Sequence, residues 1–338
     1  MKAREADLVE TFEWLIFDVK GLVHPSNRVI AFIRYFPDEK GDRRRRGAVV
    51  YGKVYSLSER YSLLKERFPR YLIYDSVFDE TLSEVSAKDV KRHYVPVERL
   101  RELRKSRRLD ALERRALQLA ELVKQNANIK WNAIGISGSI LAELHKSTSD
   151  IDPIIYGSKS CWRVYSALRN MLKDEQGPFK PYSSMDLKTL FDFRSKDTEM
   201  SYENFVRTES RKLLQGKFMG IDYFIRFVKD WGEVDENYGD VRYKNVGYAK
   251  IEARVVDDSE AIFTPCTYKI EGAKTLEGSK SQTIKEIVSF RGRFCEQAKT
   301  GETVVAQGKV ERVTDCRQDH EHFRLLVGNK PSDHMFVK

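Results

Sequence analysis

The order of apolar and polar positions changes character twice along the 338 residues. Up to about residue 97, short β-branched and aromatic runs (EWLIFDVKG, NRVIAFIRYF, GAVVYGKVY, RYLIYDSVF) are broken by Gly, Pro and polar turns, which predicts strands. From Pro96 the spacing becomes helical. In VERLRELRKSRRLDALERRALQLAELVKQN, Leu109, Leu112, Ala116, Leu119 and Val123 form one apolar stripe. A second α/β segment follows: IKWNAIGIS reads as a strand, SILAELHK as a short helix and SDIDPIIYG as another strand. SCWRVYSALRNML reads as a helix with Val164, Leu168 and Met171 or Leu172 on one face. SYENFVRTESRKLLQG predicts a helix ending at Gly216, and KFMGIDYFIRFVK a single strand after it. Beyond about residue 240 the pattern is all-β. GYAKIEARVV alternates with Ala249, Ile251, Ala253 and Val255 on one face, and IKEIVSFRGRF, TVVAQGKVERV and HFRLLVG add strands at the spacing of a small barrel or sandwich.

The fold class expected is therefore α+β, without internal repeats. A strand-rich domain covers residues 1–97, an α/β domain with a basic lead-in helix covers 98–235, and a small β-barrel-like domain covers 236–338.

Composition changes this picture little: 41% hydrophobic and 33% charged residues suit a globular chain rather than a disordered one. No apolar run has bilayer length, and MKAREADLVE lacks the apolar centre of a signal peptide, so a cytoplasmic protein without membrane association is expected. Charge changes it more. Sixty Lys and Arg against fifty-one Asp and Glu leave +9, which favours a polyanionic partner. Residues 99–115 hold eight cations and three acids, either to face a nucleic acid or as a solvated helix face. Arg43, Arg44, Arg45 and Arg46 either clamp phosphates or tip a solvated hairpin. Phe290, Arg291, Arg293 and Phe294 in SFRGRF are read either as a base-stacking set or, with more weight, as barrel core.

The four cysteines form no CxxC pair, so no disulfide framework or zinc ribbon is signalled. Cys316, His320 and His322 lie close in CRQDHEH, but such spacing is common in polar turns and no metal is expected there. His24, His93 and His145 have no recognisable partner, and His145 is expected at solvent.

The candidate chemistry lies in WNAIGISGSILAELHKSTSDIDPIIYG, residues 131–157. Strand side chains alternate, so Asp150 and Asp152 project from one face while Ile151 enters the core. Two like charges side by side are costly unless a cation lies between them, and an all-oxygen pair suits Mg²⁺ or Mn²⁺ rather than zinc. Upstream, Gly138 and Ser139 close a strand and open a helix, where a close backbone and free N–H groups can hold a phosphate. Together these features call for a nucleotide. Two-metal phosphoryl transfer wants a third carboxylate. Asp222 is preferred, because it is polar inside a run that reads as buried, with Gly220 and Phe224 on its face. Glu252, the rival, shares a polar register with Tyr248, Lys250 and Arg254.

GISGSILAELHKSTSDIDPIIY resembles the signature of the DNA polymerase beta-like nucleotidyltransferase superfamily, a Gly-Ser turn followed about ten residues later by an Asp-x-Asp strand. MGIDYFIRFVKD is similar to that family's third catalytic strand. The likeness covers roughly residues 110–230. Through VKGLVHPSNRVIAFIRYF as well, the whole chain resembles a group of archaeal predicted nucleotidyltransferases of undefined reaction.

The resemblance implies that the central domain is a nucleotidyltransferase. Gly138 and Ser139, with Ser137 beside them, would hold the triphosphate of an NTP. Asp150 and Asp152 would bind both metals, and Asp222 would bind the catalytic metal and help deprotonate the attacking hydroxyl. Two departures stand out. ILAEL follows Ser139 without the arginine and second glycine of archaeal CCA-adding enzymes, and Pro153 after Asp152 suggests an edge or bulged strand. The basic helix, together with Arg207 and Arg211 one turn apart, makes RNA the favoured acceptor and adds two cations for an anionic ligand. Nucleotidylation of a protein or small molecule, and a non-catalytic nucleic-acid-binding protein on a degenerate fold, remain as alternatives.

Overall fold

The structure is a computed structural model that describes residues 1–45, 49–278 and 283–338, so Arg46 lies outside the described residues. It mixes α-helices with several β-sheets. The chain divides into two compact units: unit one is residues 1–71, 83–182 and 213–234, and unit two is residues 72–82, 183–212 and 235–338. Residues on both sides of position 97 thus share unit one. Among the described residues no helix is long and apolar enough to cross a membrane.

Unit one holds an antiparallel sheet built from β1 (Leu8–Thr11), β2 (Ile16–Val19), β3 (Arg28–Pro37), β4 (Arg43–Arg44) and β5 (Val50–Lys53). Its order is β4-β5-β3-β2-β1, completed by Val90–Tyr94 beside β1. Leu8, Ile16, Tyr35, Tyr51 and Tyr94 of this sheet pack against Leu141, Ala142 and Leu144. Apolar burial between the N-terminal strands and the segment after Gly138 is thus what holds that segment in place.

A second sheet sets Pro153–Tyr156 between antiparallel Ile134–Ile136 and parallel Arg226–Val228. The run read as one strand, KFMGIDYFIRFVK, is instead a hairpin and a further strand. Gln215–Phe218 pairs with Ile221–Phe224 across Met219 and Gly220, both at positive φ, the geometry of a tight two-residue turn. Gly216 does not end a helix. It lies inside the first hairpin strand, where a Cβ would come within 2.5 Å of the Lys180 carbonyl, and the helix ends earlier, at Glu209.

The basic segment forms two helices rather than one. Pro96–Lys105 stops before Ala111–Ala127, whose Asp110 cap and Glu113 form a reciprocal capping box. Leu112, Ala116, Leu119 and Val123 are buried as the stripe predicts.

In unit two, Val241–Asp257 pairs with both Cys266–Gly278 and Thr303–Asp315. Ile284–Ser289 and His320–Leu326, mutually parallel, link the other two, and His334–Val337 adds to Thr303–Asp315. Ala249, Ile251, Ala253 and Val255 are buried, as their alternation predicts. Phe294 is core, and Arg291 and Arg293 both bind Asp197, so SFRGRF presents no base-stacking set.

Candidate active site

The acidic face is set by register. Ile151 N donates to the Asp222 carbonyl at 2.9 Å, and Phe224 N donates to the Ile151 carbonyl at 3.1 Å, so Ile151 and Tyr223 are parallel partners. Both are buried, which turns their neighbours to the opposite face. Asp150 therefore lies opposite Asp222 on the next strand and Asp152 shares their face, although among the described residues the three carboxylates do not bring their oxygens within 4.8 Å of one another. Ile154 pairs with Arg226, three residues further along both strands, so no bulge intervenes. Pro153 occupies the first position of an interior strand, a place open to proline, and neither the edge nor the bulge it suggested is present.

Asp222 is exposed rather than buried, and Lys217, its hairpin partner, binds it at 2.9 Å. The hairpin explains the difference: one face of these short strands is solvated, which the sequence run hid. Glu252 binds Lys338 at 2.7 Å within unit two.

Gly138 has a reason beyond the turn. Its φ is +61°, and a Cβ there would come within 2.8 Å of Asp152 Cγ and strike the carboxylate oxygen outright. The Asp152 carboxylate thus rests against a bare Cα. Ser137 is fully used. Its N–H donates to the Asp152 carbonyl at 2.9 Å and its Oγ donates to the Ala6 carbonyl at 2.6 Å, so it positions the loop and has no donor left for a ligand. Ser139 Oγ is buried without a hydrogen-bond partner among the described residues.

Burial, and then the neighbouring Asp150, push the Asp152 carboxyl up to about 7, while Arg226, Lys53 and Arg34 act in the opposite direction. Lys53 is brought down to about 8 by burial and by Arg34, against the pull of Asp150 and Asp152. Sequence reasoning missed these cations. The signal was the one used for Asp222, a charge inside an apolar run, as in NRVIAFIRYF.

The arginine cluster turns inward. Arg43 donates to the Leu144 carbonyl at 2.8 Å, and Arg45 grips both Glu10 oxygens and the Ala142 carbonyl. These two side chains hold the site loop, so they neither clamp a free phosphate nor tip a hairpin. Arg44 is exposed.

Arg207 and Arg211 belong to unit two. Arg211 makes a two-pronged pair with Glu302, and Arg207 contacts Glu203 and the Val337 carbonyl. Neither is left as an open anion receptor within its unit. His322 binds Glu286, and Cys316 Sγ points to the Thr314 carbonyl.

His145 is not simply solvated. With Asp110 and Glu113 it forms a group whose ligand atoms lie within 4.8 Å of one another. Its Nε2 binds Asp110 at 2.6 Å, the two carboxylates close the capping box, and Glu113 also takes Arg99. These bonds make the group a latch between the site loop and a helix start. DALE showed the capping box in sequence; nothing local showed the histidine.

Uncharacterized protein MJ1086 of Methanocaldococcus jannaschii is 36% identical over 336 residues, spanning 97% of this chain and 96% of the relative. The chain belongs to that protein's family. No protein-family model and no solved structure matches it. Identity over nearly the full length of both chains means that the relative spans both units and the segment holding Asp150, Asp152 and Asp222.

Proposed function

We propose that this chain is a metal-dependent nucleotidyltransferase that moves a nucleoside monophosphate from an NTP to a hydroxyl, with RNA as the favoured acceptor. The observation that supports it is the register placing Asp150, Asp152 and Asp222 on one face. The residues suit a divalent cation: the donors are all carboxylate oxygens, and Asp150 and Asp152 crowd like charge together, which with burial drives Asp152 towards its neutral form. Asp150, Asp152 and Asp222 would hold Mg²⁺ or Mn²⁺, which when bound activates the attacking hydroxyl and neutralises the leaving pyrophosphate. Gly138 and Ser139 would receive the triphosphate through backbone N–H groups and the unpartnered Ser139 hydroxyl. The exposed Asp222 carboxylate would take the proton of the attacking hydroxyl.

RNA is favoured because exposed Arg101, Arg104, Lys105, Arg107 and Arg108 gather at the end of one helix. We read the α/β part of unit one as the nucleotidyltransferase domain. The pairings of unit two return to their first strand, and we read them as a small five-stranded barrel of OB type.

The test is incubation with each labelled NTP, Mg²⁺ or Mn²⁺ and a mixed RNA pool, beside an Asp150→Ala/Asp152→Ala variant. Label entering RNA with the wild type alone is expected. Label on protein would redirect the reading to side-chain modification. No transfer and no NTP binding would end the catalytic reading.

A further inference from the structure

The electrostatic neighbours of the acidic pair differ in how far they are already occupied. Arg226 is bound to Glu5 at 2.9 Å, and Arg43 is buried against the Leu144 carbonyl. Arg34 and Lys53 have no ion pair within 4.0 Å among the described residues. They come from adjacent strands. Tyr35 and Tyr51, on the same two strands, border Arg43, whose Nη1 lies 3.5 Å from Ser149 Oγ beside Asp150. Lys53 is the register partner of Tyr35, and Val54 N donates to the Arg34 carbonyl at 3.0 Å. Both cations lie over the ring of Tyr55, Lys53 Nζ at 4.8 Å and Arg34 Cζ at 5.9 Å from its centre.

Two half-buried cations on hydrogen-bonded strands, without an anion in contact, carry an uncompensated desolvation cost. Carboxylates at longer range compensate them only while those carboxylates are free of metal. A ligand that brings a divalent cation to the acids and surplus negative charge to the cations satisfies both sets at once. Phosphate oxygens match a guanidinium fork and an ammonium point charge.

We propose that Arg34 and Lys53, contributed by the N-terminal sheet, form the subsite for the phosphate oxygens of the nucleoside triphosphate bound at Asp150 and Asp152. The assignment rests on the nucleotidyltransferase reading. It makes β3 and β5 part of the nucleotide site, not a separate module.

The test is calorimetric binding of inorganic tripolyphosphate with Mg²⁺ to the full chain, alongside KM and kcat for NTP. Arg34→Gln and Lys53→Gln should each weaken tripolyphosphate about tenfold, the typical worth of one charge-assisted bond. Lys53→Arg should stay near wild type. KM for NTP should rise while kcat changes little, which a merely structural role would not produce. Should a glutamine variant fail to fold, Arg34→Lys or Lys53→Met replaces it, with weakened tripolyphosphate binding again expected. Folded variants that bind tripolyphosphate as the wild type does would overturn the subsite alone, provided the wild type transfers nucleotide. A wild type that binds neither tripolyphosphate nor any NTP would overturn the subsite together with the reading beneath it.

Discussion

Both units pair buried charges, but they differ in what they leave crowded or unpaired. In unit two, buried charges come with partners: Glu311 lies between Lys309 and Arg324, Asp197 takes Arg291 and Arg293, and Lys212 takes Glu209. Residues 235–338, the bulk of that unit, carry seventeen cations and seventeen acids, so the whole surplus of nine lies in residues 1–234. Unit one gathers three carboxylates on one sheet face and leaves two cations nearby unpaired. Paired burial is what structure alone requires, whereas crowding of like charge lowers stability and persists where function uses it. Location in the fold separates a binding site from scaffold less sharply than this contrast does.

The largest effect that could break the contrast comes from one conservative change made in both units. Asp150→Asn, Asp152→Asn or Asp222→Asn should lower nucleotide transfer at least about a thousandfold, the scale of losing a metal ligand's transition-state stabilisation. In EDTA the melting temperature of the Asp152→Asn protein should stay level or rise, because the change removes a crowded charge. Glu311→Gln should instead cost about 3 kcal/mol, since it strands the buried Arg324 guanidinium, whereas Lys309 keeps Glu80. Equal destabilisation by both changes, measured by denaturant unfolding, would erase the contrast.

Two glycines at positive φ sharpen it next. Gly138→Ala has both the strained backbone and the collision with Asp152, and should cost about 2–3 kcal/mol. Gly220→Ala, at φ +85° with nothing within 4 Å of its Cβ position, should cost about 1 kcal/mol through backbone strain alone. If the two cost the same, Asp152 does not rest on Gly138.

Acid should act in opposite directions on one buried group of each unit. In unit one, His24 Nε2 donates to the Ala3 carbonyl while Nδ1 accepts from Ile30 N, and burial lowers the ring to about 4. A folded pKa below the unfolded 6.5 means that the unfolded chain binds the extra proton. The contribution is whole above 6.5, fades between 6.5 and about 4, and amounts to on the order of 3 kcal/mol. In unit two, burial raises Asp333 to about 6 even though its carboxylate accepts from Gly328, Asn329 and Lys330 N–H groups. Its raised value gives stability that is present below 3.8 and lost as pH rises through 6. Asp152, raised to about 7 in the same unit, acts in the opposite sense, so the His24 contribution is read by difference: in hydrogen exchange at pH 4.5 and 7 the His24→Gln protein should lose less protection in acid than the wild type does.

What the sequence disclosed follows the same division. Alternation at Ala249–Val255 and the stripe from Leu112 to Val123 were legible because each is a local period facing one core. Asp150 and Asp152 were legible because they flank the buried Ile151, although the strand itself begins only at Pro153. The adjacency of Asp222 was not, because it depends on a parallel register between segments some seventy residues apart, and the Met219–Gly220 hairpin was concealed in an unbroken apolar run. The inward turn of Arg43 and Arg45 was hidden for the same reason, because the Leu144 and Ala142 carbonyls they bind come from the far side of residue 130. Arg34 and Lys53 stood as charges inside apolar runs.

The smallest expected effect concerns the acceptor. If the charge surplus of unit one serves a polyanion, reversing exposed charges there and in unit two should give unequal results. Arg101→Glu/Arg108→Glu removes two cations from the helix end and should weaken binding of single-stranded RNA about tenfold at moderate salt. It should also flatten the dependence of affinity on salt by about two counterions, because each lost phosphate contact removes about one. Arg254→Glu/Lys269→Glu alters side chains that already face Glu271 and Asp257, and should leave affinity within about twofold. Filter binding across a salt series distinguishes the pairs. Loss confined to the unit-two variant would move the RNA surface onto the strands of unit two; loss in neither would leave the surplus as solvation and favour a small acceptor.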